Sequence, residues 1–98
     1  MTVDTVSDPL GYAASLLDAV GTDREHVPAD IALDCLYAAE LLELAGGRAQ
    51  PTALIAGDPA TSIRAAMGAL GLLDADTFAS SPVLGAARAA RHALRRLG

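Results

Sequence analysis

The chain has no tryptophan and no lysine, and only one cysteine and one phenylalanine among its 98 residues. Each scarcity excludes something. With aromatics at 3% and apolar residues at 52%, the core cannot be built around rings and must be made of Ala and Leu. Such a core suits closely packed helices, and strand formers are scarce, so an all-α fold is expected. A lone cysteine excludes an internal disulfide and fits a reducing compartment. No apolar run approaches the roughly 18 residues of a membrane span, so no membrane association is expected. The first residues, MTVDTVSDP, hold neither a basic region nor the apolar centre of a secretory signal. A cytoplasmic protein is the expectation.

What is present is acid, arginine, proline and glycine. The formal net charge of −5 argues against a general nucleic-acid binder. The length fits a single helical domain over 1–98, with 1–8 a flexible N-terminus. Proline at the start of a helix and glycine past its end is the natural asymmetry. Here Pro9 is answered by Gly21, Pro28 by Gly46, Pro51 by Gly57, Pro59 by Gly71 and Pro82 by Gly98. Asp8, Asp58 and Ser81 precede three of these prolines as candidate caps. The punctuation predicts a four-helix bundle with helices near 9–20, 28–45, 59–70 and 82–97, and a short helical turn at 51–57 between the second and third. Gly71 to Ser80 reads as a loop anchored by Leu72, Leu73 and Phe78.

The second helix organises the rest. At about 100° per residue, Ile31, Cys35, Ala38, Leu42 and Ala45 fall on one line, and Ala32, Leu36 and Ala39 on the next. So wide an apolar arc needs neighbours on two sides, which predicts a central helix with the others around it. Asp30, Asp34 and Tyr37 sit opposite, and Glu40 and Glu43 flank the arc. In the first helix, Leu10, Ala13, Ala14, Leu17 and Val20 share the inner face, while Ser15 and Asp18 point away. In the last helix Val83, Ala87, Ala90, Leu94 and Leu97 face inward. Arg88, Arg91, His92, Arg95 and Arg96 lie on the other side, a basic stripe on an acidic protein.

Chemistry is hard to assemble from these residues. Cys35 has no base beside it in sequence, and Asp34 would raise the pKa of its thiol, so it reads as a small core residue. His26 and His92 read as solvated, without partners that would make either a general base. One Cys and two distant His match no zinc spacing, so no metal site is expected. Glu40 and Glu43, one turn apart, read as a solvated edge. A helix-turn-helix over 51–71 would have Arg64 as its one basic reader, with Asp58 opposing phosphate. A non-enzymatic protein without a cofactor is expected.

Several pieces, in order, resemble the acyl carrier proteins, in particular the carrier domains of modular polyketide synthases. They are Val20-Gly21, VPAD at Val27 to Asp30, ALDCLYAAEL at Ala32 to Leu41, and PTALIAGDP at Pro51 to Pro59. The resemblance spans roughly Leu10 to Leu70 and implies an acidic four-helix bundle with a short extra helix. At the family's carrier position stand Asp34, Cys35 and Leu36, with Cys35 replacing the serine that receives phosphopantetheine. Ala32 replaces a glycine, and the loop before the motif is several residues shorter. The resemblance therefore implies a degenerate carrier-like domain that docks through Asp30, Asp34, Glu40 and Glu43 on a larger protein partner. Two functions are expected to compete. One is a protein–protein interaction module, self-association included. The other is a helical regulator that takes nucleic acid or another anion on Arg88, Arg91, Arg95 and Arg96, of which nucleic acid is the less favoured ligand.

Overall fold

The structure, a computed structural model, describes residues 8–97. The expected flexible segment 1–8 lies outside these residues except for Asp8. Five α-helices and one 3-10 turn account for the regular structure: α1 Pro9–Gly21, α2 Ala29–Leu44, a 3-10 turn Ile55–Gly57, α3 Pro59–Leu70, α4 Ala75–Phe78 and α5 Ser81–Leu97. No strand occurs among the described residues. The four long helices form a ring in which α1 packs on α2, α2 on α5, α5 on α3 and α3 on α1. This is the expected all-α four-helix bundle, with the extra turn between the second and third long helices.

Local chemistry explains most boundaries. Asp8 Oδ1 accepts from Gly11 N at 3.1 Å, and Asp58 Oδ2 accepts from Thr61 N at 2.9 Å, so both are N-caps as expected. The end of α2 is a Schellman closure: Gly46 N donates to Glu43 O at 3.0 Å and Gly47 N to Leu42 O at 2.9 Å. Gly46 has φ of 111°, a conformation that penalises any Cβ. Gly21 serves a different purpose from the expected stop signal. It is the last residue of α1, and a Cβ on it would lie 2.5 Å from Leu36 Cγ and 3.1 Å from Ala32 O. Its missing side chain is what lets α1 and α2 approach.

Three expectations need correction. The segment 71–80 is not all loop, because Asp74 accepts from Thr77 N and starts the single turn α4. Leu73 and Phe78 pack on the core, but Leu72 is 58% exposed and anchors nothing. The last helix begins at Ser81, not Pro82, since Leu84 N already bonds Ser80 O, which makes Ser80 and not Ser81 the capping position. Ser15 points inward: its hydroxyl donates to Gly11 O at 2.7 Å and accepts from Gln50 N at 2.9 Å, tying the 48–50 connector to α1.

The core is Ala and Leu with a few β-branched residues. Leu16, Leu17, Leu42, Ile63 and Leu70 are its largest enclosed side chains. Helix α2 has the two neighbours its apolar arc demands, but it is not a unique hub. Helix α1 is equally bracketed, by α2 and α3, and buries eight of its 13 residues. Both lines of α2 face inward except at their margins, where Leu36 and Ala45 are half-buried.

Candidate functional site

Helices α2 and α5 run antiparallel. One turn forward along α2, from Asp30 to Asp34, matches one turn back along α5, from Arg96 to His92. Arg96 Nη2 donates to Asp30 Oδ2, and His92 Nδ1 lies 2.9 Å from Asp34 Oδ2. The guanidinium beside Asp30 holds its carboxyl below the ordinary carboxylate value. Glu43 Oε2 also accepts from Ala49 N at 3.4 Å, so three of the four acids expected to face a partner already have intramolecular partners. The expectation that His92 lacks a partner was wrong, because residues 58 apart in sequence meet at the bundle surface. His26 likewise has the Asp23 carboxylate 3.1 Å from its Nδ1.

The Asp34–His92 pair does not make Cys35 a nucleophile. Neighbours on a helix diverge by about 100°, and here Asp34 turns to the rim while Cys35 turns into the core with no exposure. Burial first, and the Asp34 charge second, push the Cys35 thiol up to about 12. Cys35 stands in the second turn of a helix that starts at Ala29, not at an exposed N-terminus. Among the described residues, no group of three or more His, Cys, Asp and Glu side chains is placed to hold a metal.

The unusual feature is the outer face of α2. Leu33 is 65% exposed, Tyr37 57% and Leu44 75%. With Glu40 they follow the spacing i, i+4, i+7, i+11, which is one stripe of a helix. Three of the four exposed large apolar side chains of the described residues therefore share one face of one helix. On its α1 side lie two depressions separated by Leu36. One, about 240 Å³, is floored by Gly21, Ala29 and Ala32 with Arg24 at its mouth. The other, about 400 Å³, carries the Asp18, Glu40 and Glu43 carboxylates around Leu36, Tyr37 and Ala39. On its α5 side lie the Asp30–Arg96 ion pair, the Asp34–His92 contact and, beyond them, Arg88, Arg91 and Arg95. These three arginines are exposed and have no acid partner among the described residues.

A third cleft, about 490 Å³, lies between Asp8, Tyr12 and Arg48, and part of its polar lining serves the fold. Gly11 N is taken by Asp8, and the Ser15 hydroxyl donates to Gly11 O and accepts from Gln50 N. The helix-turn-helix lacks its first helix, because within 51–58 only Ile55–Gly57 is helical. No helix of the described residues is long and apolar enough to cross a membrane.

Sequence reasoning placed Tyr37 on the outer side of α2 but missed Leu33 and Leu44. The signal was available: on the same wheel both fall on the side assigned to acids. Comparison with family models, curated proteins and solved structures finds no match.

Proposed function

We propose that the protein is a small non-catalytic interaction module that docks on a protein partner, self-association included, through the outer face of α2. The observation that carries this is the stripe Leu33, Tyr37 and Leu44, held in water by a helix whose inner face is already satisfied. Scattered exposed leucines are ordinary, but three large apolar side chains aligned on one helix are the pattern of a helix-mediated contact. The flanking charges supply orientation and partner choice more than affinity. Carrier-like docking through an acidic helix is the form of this function that the sequence resemblance implies. Glu40 is the acid left without an intramolecular partner for it, since Asp30 and Asp34 are engaged by α5 and Glu43 Oε2 accepts from Ala49 N at 3.4 Å. The burial of Cys35 supports docking without a loaded arm.

A photo-crosslinking residue at position 33, compared with one at the exposed position 64 on α3, tests this in the source cell. Crosslinked protein specific to position 33, and abolished by Tyr37→Asp in a variant that keeps its helical circular dichroism, is the expected result. Equal crosslinking from both positions, or none, overturns it.

A further inference from the structure

The outer face of α2 has an acidic edge and a basic edge, and that asymmetry selects a partner. On the α1 side stand Asp18 and Glu43, with Glu40 near the crest and Arg24 toward the N-terminal end of α2. On the α5 side stand Arg88 and Arg95, free of acid partners among the described residues. Consider two copies brought face to face. If the two-fold axis runs across α2, each basic edge lies over the other basic edge. If it runs along α2, each basic edge lies over the other copy's acidic edge. The pairings of Asp34 with His92 and Asp30 with Arg96 fix the relative level of the helices. One turn further along α5, Arg88 stands level with Ala38, about 3 Å along the axis from the level of Glu40.

We propose that the occupant of this face is a second copy of the chain, paired about a two-fold axis parallel to α2. Leu33, Tyr37 and Leu44 meet their own counterparts along the axis and, with Glu40 between the last two, follow the alternating four- and three-residue spacing of a parallel helix pair. Arg88 of each copy reaches Glu40 of the other, so the two Glu40 carboxylates nearest the axis are both neutralised. The contact is isologous and closes on itself. It rests on α2 being a docking face, and names what docks there. Three large apolar side chains per copy make a small interface, so the dimer is weak and in rapid exchange.

The test uses the full chain in sedimentation equilibrium at low salt, over a concentration series from micromolar to near millimolar. Wild type is expected to dimerise within that range. Arg88→Glu and Glu40→Arg are each expected to weaken the dimer about tenfold, since each converts two attractive contacts into two repulsive ones. The double variant carrying both restores it to within about threefold. Leu44→Cys is expected to form a 44–44 disulfide between copies on mild oxidation, while Cys35 stays buried. A monomer at every concentration overturns the self-pairing, and so does a Leu33→Cys/Leu44→Cys chain that crosslinks only between positions 33 and 44. Failure here with position-33 crosslinking to another protein intact leaves the docking function standing. Loss of both removes the face altogether.

Discussion

Asp34 and His92 lie 58 residues apart in the chain and meet with Oδ2 and Nδ1 separated by 2.9 Å across the α2–α5 seam. With the Asp30–Arg96 pair one turn away, this contact marks the register between α2, whose buried residues are half alanine, and α5, whose buried residues are nearly all alanine. Alanine faces interlock weakly, so a polar rim can choose among alignments that the core alone barely distinguishes.

Both side chains of the pair remain partly in water, and exposed pairs contribute about 0–1 kcal/mol. Asp34→Asn is therefore expected to lower unfolding free energy by less than about 1 kcal/mol. Its larger effect is expected on alignment: amide exchange should quicken along the outer edge of α5 near His92, with the α1–α3 contact unaffected. A loss of several kcal/mol in a denaturant titration would mean that the rim, not the core, holds the bundle.

The approach of α1 to α2 depends on Gly21. A methyl there would sit 2.5 Å from Leu36 Cγ, so Gly21→Ala is expected to cost about 1–3 kcal/mol, the range for overpacking. Adding Leu36→Ala should recover much of that loss, because it removes the clashing atoms. Leu36→Ala alone should cost less than Leu42→Ala. Leu36 is half-buried at a surface depression, whereas Leu42 is wholly enclosed and should cost about 2–5 kcal/mol. Equal denaturant midpoints for the two leucine variants would contradict this geometry.

Cys35 gives a pH signature. Its thiol is raised from an ordinary value of 9.0 to about 12 in the fold. Well below pH 9 the thiol is neutral in both folded and unfolded chains and contributes no pH dependence. Above it the unfolded chain ionises and the folded chain does not, so stability falls as pH rises from about 9 toward 12. Cys35→Ala should lack this component, so the wild-type advantage should shrink between pH 8 and pH 10.5 in matched urea titrations. The same burial predicts that the native chain gains no phosphopantetheine from a promiscuous transferase. Intact mass checks this, and a gain lost in Cys35→Ala would revive a carrier role.

The helices were legible because proline, glycine and aspartate act locally: Asp8 and Asp58 cap through their own carboxylates, and Gly46 closes α2 through its own backbone. The turn at Ala75–Phe78 was legible in principle from Asp74 preceding Thr77 by three, but a single turn shows no apolar period. The inward hydroxyl of Ser15 was not legible, because its second partner, Gln50 N, lies 35 residues away. The same holds for the site. The stripe Leu33, Tyr37 and Leu44 could be read from periodicity. The engagement of Asp30 and Asp34 by α5 could not, since it depends on which helices become neighbours and in what register.

The arginine face of α5 separates the two functional classes. Arg96 is held by Asp30, so the residues to change are Arg91 and Arg95, both exposed. Like charges one turn apart repel by a few tenths of a kcal/mol, and the helix C-terminus offsets part of that. The stripe is therefore tolerable without any ligand, and reversing it to Arg91→Glu/Arg95→Glu should leave the fold intact by circular dichroism and thermal midpoint. The chain's charge of −5 opposes a polyphosphate at a distance, whereas a protein surface can place a few acids locally. The expected outcome is weaker self-association or partner capture in the reversed variant, most visible at low salt, and no duplex-DNA binding by either form. Wild-type DNA binding that weakens with salt and disappears on reversal would move the function from α2 to α5.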